Sequence, residues 1–342
     1  MAGTPESTNI REENLVRKKW IVIGVALSCV IMLGSGIGAA AKAPSEQPTA
    51  VLLASGLEGT MGSTVGPGGA LYVVEGAAGR VSQVDPQSGA ITTFASGLPP
   101  AIMPIGGATD VAFIGETAYV LVTMVGSDLD PESNNVVGIY RVDGPDSFTV
   151  IADLGAFSID NPSKSKVFIP SGVHYALDVV DGGFVVTDGH HNRVLHVTLD
   201  GEVSEVIAFD NIVPTGLAVW GNTVYVAEAG PNPHLPEHGK VVMFGPESSM
   251  ATEVASGAPL LVDVEYGRGG KLYALSQGHF TEGNDDGSPA DPNTGALVEA
   301  NADGTFTVIT DGLNQPTSLE FIGNTAYVLT LGGEIWMING VN

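Results

Sequence analysis

The sequence predicts an all-β protein, a six-bladed β-propeller of four-stranded blades, and three observations lead to this prediction. A hairpin pattern of two apolar strands around a tight turn recurs six times, with an aromatic residue in each second strand. These aromatic residues are 41 to 65 residues apart, a spacing typical of propeller blades: Tyr72, Tyr119, Phe184, Tyr225, Tyr273 and Tyr327. The last repeat lacks an outer strand, and a matching strand occurs near the N-terminus, at about residues 50–56.

The clearest hairpin runs from Val213 to Glu228. Its two apolar strands flank Gly221-Asn222, a dipeptide typical of tight hairpin turns. In most repeats a third strand follows and ends at a Gly-, Asp- or Pro-containing turn, and a fourth, outer strand comes next. Each of the first five repeats therefore has the four strands of one blade.

The sixth repeat stops after its third strand, Glu334–Ile338. The segment Ala50–Leu57 is similar in pattern to the outer strand Thr92–Leu98 of the first repeat. We therefore expect the N-terminal strand to complete the sixth blade, because closing the ring removes exposed sheet edges.

An uncharged run of 22 residues, 20–41, follows the basic triplet Arg17-Lys18-Lys19. Its length and flank suit either a cleaved signal peptide or an uncleaved N-terminal membrane anchor, and a buried core helix is a third alternative. The sequence thus predicts a cytoplasmic n-region plus signal peptide or anchor over residues 1–43, a linker over 44–49, and a propeller over 50–342. The propeller is expected outside the cytoplasm, either secreted, periplasmic or anchored.

Composition limits the chemistry of the predicted propeller. Cys29 is the only cysteine, so residues after 43 have no disulfide and no thiolate. Those residues carry 8 basic and 35 acidic side chains. Such a polyanion is repelled by nucleic acid and by anionic lipid, so we expect no nucleic-acid partner and membrane contact only through residues 20–41. The acidity itself is explained by solubility or by binding of a divalent cation.

Insertions gather on one predicted face of the propeller, while the other face has tight turns. The insertions occupy residues 127–135, 155–170, 230–238 and 278–294. Long loops on a rigid scaffold commonly carry function, so a site is expected on this loop-rich face.

Several motifs resemble a known family. Val213–Val219, Tyr225–Glu228 and Gly239-Lys240-Val241 resemble proteins of the ScyD/ScyE type found in scytonemin gene clusters. Tyr175–Val179 and Val185–Gly189 are similar to the same family and to NHL-repeat strand pairs. The resemblance covers about residues 50–338 and implies a secreted six-bladed propeller of undefined activity. More distantly, the chain resembles gluconolactonase and strictosidine-synthase propellers, some of which bind Ca²⁺ or Zn²⁺ in the central channel.

Positions facing the central channel are predicted by counting back from the aromatic residues. Asp110 precedes Tyr119 by nine residues, Asp263 occupies the equivalent place in the fifth repeat, and Thr215 and His174 lie near the same level. A ring of this kind could hold Ca²⁺ through oxygen ligands. Alternatively, these side chains satisfy backbone groups around a hydrated channel.

The ends of the second strands carry Glu75, Asp188 and Glu228. His190-His191 follow Asp188, in the short loop between strands of the third repeat. These acids could bind metal or act as a general base, or they could bond loop amides. The metal candidates are Glu75, Asp110, Glu228 and Asp263. The ligand-binding candidates are Asp110, His174, Asp188, His190, His191, Thr215, Glu228 and Asp263.

Three functions follow as alternatives. The first is a module that binds an unknown small molecule or protein through the loop-rich face. The second is a metal-dependent hydrolase or lactonase using channel acids, although no complete catalytic motif is present and the first inner strand, Met61-Gly62-Ser63-Thr64, has no acid. The third is a surface-anchored scaffold.

Overall fold

The computed structural model describes residues 48–164, 168–245, 248, 250–285 and 287–341. These residues form six four-stranded antiparallel sheets arranged as a six-bladed propeller, which confirms the predicted fold. The predicted signal peptide or anchor lies outside the described residues. Within the described ranges, no helix has the length and apolar character needed to cross a membrane.

The strands follow one another from the channel outwards in each blade. Blade 1 contains β2 (Thr60–Val65), β3 (Leu71–Glu75), β4 (Arg80–Val84) and β5 (Ile91–Ser96). Blade 2 contains β6 (Gly107–Ile114), β7 (Thr117–Thr123), β8 (Gly138–Gly144) and β9 (Ser147–Asp153). Blade 3 contains β10 (His174–Val180), β11 (Gly183–Asp188), β12 (Arg193–Thr198) and β13 (Val203–Ala208).

The remaining blades repeat this order. Blade 4 contains β14 (Pro214–Trp220), β15 (Thr223–Glu228), β16 (Lys240–Phe244) and β17 (Thr252–Ser256). Blade 5 contains β18 (Leu261–Tyr266), β19 (Leu272–Ser276), β20 (Gly295–Ala300) and β21 (Phe306–Leu313). Blade 6 contains β22 (Pro316–Ile322), β23 (Thr325–Thr330) and β24 (Glu334–Asn339), with β1 (Ala50–Ser55) as its outer strand.

The pairing of β1 with β24 closes the ring. The two strands are antiparallel, with Ala50 opposite Ile338 and Ser55 opposite Glu334. The predicted completion of the sixth blade by the N-terminal strand is therefore confirmed.

The hydrophobic core lies between the blades. Six apolar clusters each join two neighbouring blades, and the sixth joins blade 6 back to blade 1 through residues such as Tyr327 and Leu71. The second strands are the most buried, as in β3, where all five residues are buried, whereas outer strands such as β5 expose most of theirs. Each fully buried aliphatic side chain stabilises the fold by about 1.5–3 kcal/mol, so the blade interfaces hold the ring together.

Every inner strand contains a register shift at the same level. In β6 the shift lies between Ala108 and Asp110, and in β18 it lies between Leu261 and Asp263. The other four inner strands have theirs at the corresponding places. Because a bulge re-aims the side chains of a strand, polar residues at this level can turn either into the channel or towards the next blade.

Short helical segments outside the sheets lie on both faces of the propeller. One α-helix, α1 (Leu154–Asp160), follows β9 and is capped by Asp153, whose side chain accepts a hydrogen bond of 2.8 Å from the Ala156 amide. Short 3₁₀ turns occupy Pro67–Gly69, Pro236–His238 and Arg268–Gly270. The hairpin turns of the opposite face are tight, as at Gly221, whose φ of 61° favours glycine.

Candidate ligand-binding channel

A cavity of about 680 Å³ occupies the central channel. Its walls come from the inner strands of all six blades, and its mouth is formed by residues of the loop-rich face such as Ile105, Phe168 and His234. The volume is in the range of small-molecule sites, which commonly span 300–1,000 Å³. The cavity is therefore the leading candidate for a binding site, on the predicted face.

Two carboxylates oppose each other near the bulge level of the channel. Asp110 in blade 2 and Asp263 in blade 5 both line the cavity, and these blades are three apart in the ring of six. Asp110 accepts two hydrogen bonds of 2.9 Å, one from the amide of the next residue, Val111, and one from the Leu177 amide of blade 3. Asp263 repeats this arrangement with Val264 N at 2.9 Å and Leu319 N of blade 6 at 2.7 Å. Each acid thus lines the channel and joins two blades.

Small residues make room for these carboxylates. A Cβ atom on Gly62 of blade 1 would overlap the Asp110 carboxylate, and one on Gly216 of blade 4 would overlap that of Asp263. The same position in blade 6 is Ser318, whose hydroxyl accepts a 3.1 Å hydrogen bond from Ser63 N of blade 1. Glycine at these two positions is therefore explained by close approach rather than by turn geometry.

Three further acids line the channel one layer deeper, each two residues further along its strand than the bulge-level residue. They are Asp178, Glu265 and Glu320. Asp178 accepts hydrogen bonds from Val179 N at 2.6 Å and from Val219 N of blade 4 at 2.8 Å. Glu265 accepts one of 3.3 Å from Tyr266 N. These three were not among the predicted site residues, although the two-residue alternation of a strand places them on the same face as the bulge level.

Burial and mutual repulsion raise the pKa values of the channel acids. Burial is the main cause in each case, raising the pKa of Asp178 to about 6 and that of Asp263 to about 7. The pKa values of Asp110, Glu265 and Glu320 are raised well above their usual range, again by burial first and then by neighbouring carboxylates. Lys and Arg are absent from the described residues that line the cavity. The channel wall is therefore a set of acids without an adjacent fixed cation.

Thr215 also lines the cavity, and its hydroxyl joins two blades. It donates a hydrogen bond of 2.8 Å to the Leu261 carbonyl of blade 5, with the Ala227 carbonyl 3.1 Å away. Thr109 makes the equivalent bond of 3.2 Å from blade 2 to the His174 carbonyl of blade 3. These threonines satisfy backbone carbonyls at the bulges, as the structural alternative predicts.

The acids at the ends of the second strands lie outside the described cavity lining and face basic residues of the third strands. Glu75 pairs with Arg80, at 2.8 Å between Oε1 and Nε and 2.6 Å between Oε2 and Nη2. Although burial opposes it, hydrogen bonds from Arg80 and Ser82 lower the pKa of Glu75 below its usual value. Glu228 lies opposite Lys240 in the sheet, but its Oε2 has no partner among the described residues, and burial raises its pKa to about 7.

Asp188 is the centre of a buried ion cluster in blade 3. Its Oδ2 lies 3.2 Å from Arg193 Nε, 2.8 Å from His191 Nδ1 and 3.8 Å from His174 Nε2. Burial alone would raise the pKa of Asp188, but the neighbouring imidazoles and the guanidinium lower it far below its usual range. Burial lowers the pKa of His174 to about 4, so this imidazole is neutral at physiological pH.

Arg193 connects this cluster to the loop-rich face. Its Nη1 donates a 2.8 Å hydrogen bond to the Asn161 carbonyl, and its Nη2 donates one of 3.0 Å to the Ser158 hydroxyl of α1. The guanidinium also lies 5.3 Å from the centre of the Phe157 ring. The cluster thus fixes the helix that follows blade 2 against blade 3, and His174 and His191 belong to it rather than to the channel wall.

His190, unlike His191, lies at the mouth of the cavity. Its Nε2 accepts hydrogen bonds from Phe168 N at 3.0 Å and Ile169 N at 3.2 Å, and its ring packs edge-on against Phe168. His190 therefore orients part of the loop that forms the rim of the mouth.

The four metal candidates are divided between two places. Asp110 and Asp263 line the cavity, whereas Glu75 and Glu228 lie in their own blades beside Arg80 and Lys240. Across the described ranges, no three His, Cys, Asp or Glu side chains are grouped so that they could hold one metal ion. The Ca²⁺ hypothesis stays a prediction.

No protein-family model matches this chain, and no curated protein matches its sequence. Among solved structures, the chain is similar to a gluconolactonase from Xanthomonas campestris, with a TM-score of 0.58, 14% identity, and coverage of 84% of this chain and 88% of that one. It is similar to a virginiamycin B lyase from Staphylococcus aureus, with a TM-score of 0.51, 15% identity, and coverage of 84% and 97%.

A third similar structure comes from Thermus thermophilus and is described as a glucose dehydrogenase-type oxidoreductase. Its TM-score is 0.56 at 16% identity, with coverage of 85% of this chain and 99% of that one. At such low identity these likenesses establish the fold alone, because one propeller architecture carries many unrelated functions. The chain thus has the six-bladed fold of gluconolactonase-like propellers.

Proposed function

We propose that this protein is an exported propeller of the ScyD/ScyE type that binds a small molecule in its central channel through the loop-rich face. The observation that carries the proposal is the 680 Å³ cavity, which opens among the long loops and is lined by acids and apolar side chains together. A propeller that needed the channel only for structure could fill it with side chains, as small barrels do.

Channel blocking tests the proposed binding. Thr64→Trp places a large ring on the cavity wall of blade 1, while Thr92→Trp makes the same change at an exposed position of the outer strand in that blade. We expect compounds that raise the melting temperature of the wild type, in a screen of a small-molecule library, to do so with Thr92→Trp and not with Thr64→Trp. Hits that stabilise all three proteins equally would place binding elsewhere and refute the proposal.

Export is the second part of the proposal and rests on the uncharged run of residues 20–41 after its basic triplet. Fractionation of expressing bacterial cells, with the intact mass of the protein in each fraction, tests it. We expect the protein outside the cytoplasm, either shortened by cleavage or retained at full length in the membrane. Full-length protein in the soluble cytoplasmic fraction would contradict it.

The hydrolase alternative also has a test. A metal-dependent lactonase of the gluconolactonase type would bind a divalent cation through the channel acids, so metal analysis of the purified protein and melting with and without chelator would reveal it. A stoichiometric metal that is lost from Asp263→Asn and retained by Asp303→Asn would favour this alternative over a simple binding module. Asp303 is a suitable control because it lies in an exposed turn.

A further inference from the structure

The cavity has two chemically different zones along its depth. Near the mouth, two apolar clusters of the loop-rich face contribute to its wall. One contributes Ile105, Met124, Val173 and Tyr175, and the other contributes Val213, Ala229, Leu260 and Val262. Farther in, the wall carries the carboxylates of the two acid layers. A ligand that fills the cavity therefore meets apolar surface first and carboxylates at depth.

The deeper layer has unused acceptor capacity. An ionised carboxylate has about four lone-pair sites. Backbone amides occupy two of these sites on Asp178 and one on Glu265. Because the described lining has no Lys or Arg, this charge is uncompensated within the wall. A bound cation would remove the repulsion that the acids exert on one another.

The arrangement of the acids suits an organic cation better than a metal ion. Ca²⁺ needs six to eight oxygens at about 2.3–2.6 Å. Here the acids project from different blades, Asp110 and Asp263 on opposite sides of the ring, and backbone amides hold their oxygens in place. No three of the described acids converge on one metal position. An ammonium group on an apolar body, by contrast, can donate hydrogen bonds to dispersed carboxylates while its apolar body fills the mouth.

We propose that the channel binds an amine with an apolar body, its ammonium group beside Glu265 and Glu320 and its apolar part against Ile105, Met124 and Leu260. This inference rests on the proposed small-molecule function and names the ligand class for that same cavity. Fixed carboxylates give the charge selectivity, and the mouth clusters give affinity in proportion to the apolar area that they bury.

A matched pair of probes tests the ligand class. 4-Phenylbutylamine and 4-phenylbutanol have nearly the same shape, and only the amine is charged at neutral pH. With the full-length protein in detergent, titration calorimetry at pH 8 is expected to show at least tenfold tighter binding of the amine. We expect Glu265→Gln with Glu320→Gln to remove this preference while leaving alcohol binding within twofold, and Glu253→Gln, on the exposed outer strand β17, to change neither.

Each outcome separates the inference from the function on which it rests. Equal binding of amine and alcohol, both blocked by Thr64→Trp, would overturn the amine inference and support a channel for neutral ligands. If one Ca²⁺ ion displaces one amine molecule and binds more tightly than the amine, the inference is overturned in favour of a metal site. If neither probe binds while other library compounds show channel-dependent binding, the inference fails alone. If no compound of any class binds in a channel-dependent way, the proposed function fails as well.

Discussion

Asp188, in the ion cluster of blade 3, and Asp263, in the channel wall, are both carboxylates largely removed from water. Arg193 and two imidazoles surround Asp188, and its pKa lies far below the usual range. Asp263 has two backbone amides and other acids around it, and its pKa is raised to about 7. A buried charge is stable only with a partner. The compensated acid therefore has a structural role, and the uncompensated one is placed where a partner can arrive from outside.

The largest expected effect comes from removing the internal partner of Asp188. Arg193→Met leaves this carboxylate buried without its guanidinium, and we expect a loss of about 3–5 kcal/mol in the free energy of unfolding. Urea denaturation measures it. Asp188→Asn added to Arg193→Met should restore part of the loss, since no charge is then left uncompensated.

Arg80→Met is the matched control for this change. The Arg80 side chain is 29% exposed, against 2% for Arg193, so water can replace the lost partner of Glu75 more readily. We expect a loss of about 1 kcal/mol, as for a partly solvated ion pair. If both substitutions lower the free energy of unfolding by the same amount, Asp188 does not depend more strongly on its buried arginine than Glu75 depends on its partly exposed one, and the comparison fails.

A second prediction concerns pH and the channel. Because the folded-state pKa of Asp263 is about 7 and the unfolded value is 3.8, the folded state binds more protons between these values. The contribution of Asp263 to the free energy of unfolding is therefore greatest at low pH and is lost as pH rises towards and through 7. Each pKa unit corresponds to about 1.4 kcal/mol, so Asp263 alone accounts for up to about 4 kcal/mol of this loss.

The difference between wild type and Asp263→Asn isolates this contribution from other titrating groups. His174, with a pKa lowered to about 4, acts with the opposite sign between pH 4 and 6.5, and it is common to both proteins. We expect the variant to gain stability relative to wild type between pH 5 and 8 in urea denaturation. A difference that stays constant over this range would show that Asp263 is ionised throughout.

The smallest expected effect tests the close approach between blades. Gly216→Ala would force its Cβ against the Asp263 carboxylate, and we expect a loss of about 1–3 kcal/mol, typical of overpacking. Gly245→Ala is the control, because a Cβ there has no neighbouring heavy atom within 4 Å. Thermal melting compares them. Equal melting temperatures would mean that the carboxylate shifts freely and does not tie blade 5 to blade 6.

The recurring hairpin and its spacing were sufficient to predict the blades and the closing strand, because strand alternation and turn chemistry are local properties. Counting from the recurring aromatic residue of each repeat also positioned Asp110 and Asp263 in the channel wall. His174 could not be positioned in this way. His174 precedes the register shift of its strand, whereas Asp110 and Asp263 follow theirs, and the His174 side chain lies beside Asp188 instead.

The deeper acids were missed for a different reason. Asp178, Glu265 and Glu320 follow the bulge level by two residues, so alternation alone could have indicated their face. Their importance, however, depends on the meeting of three separate blades and on the lack of a basic neighbour, which no local pattern reveals. The pairing of Glu75, Asp188 and Glu228 with third-strand bases was likewise visible only in the sheet register.

The closing strand has a consequence for how the chain folds. Blade 6 is built from both ends of the propeller, and the Thr60 hydroxyl bonds the Thr330 carbonyl across 270 residues of sequence. Contacts of such long range are slow to form, because much of the chain must be ordered before they contribute. Synthesis must therefore reach β24 before the ring can close, and until then β1 has no partner strand.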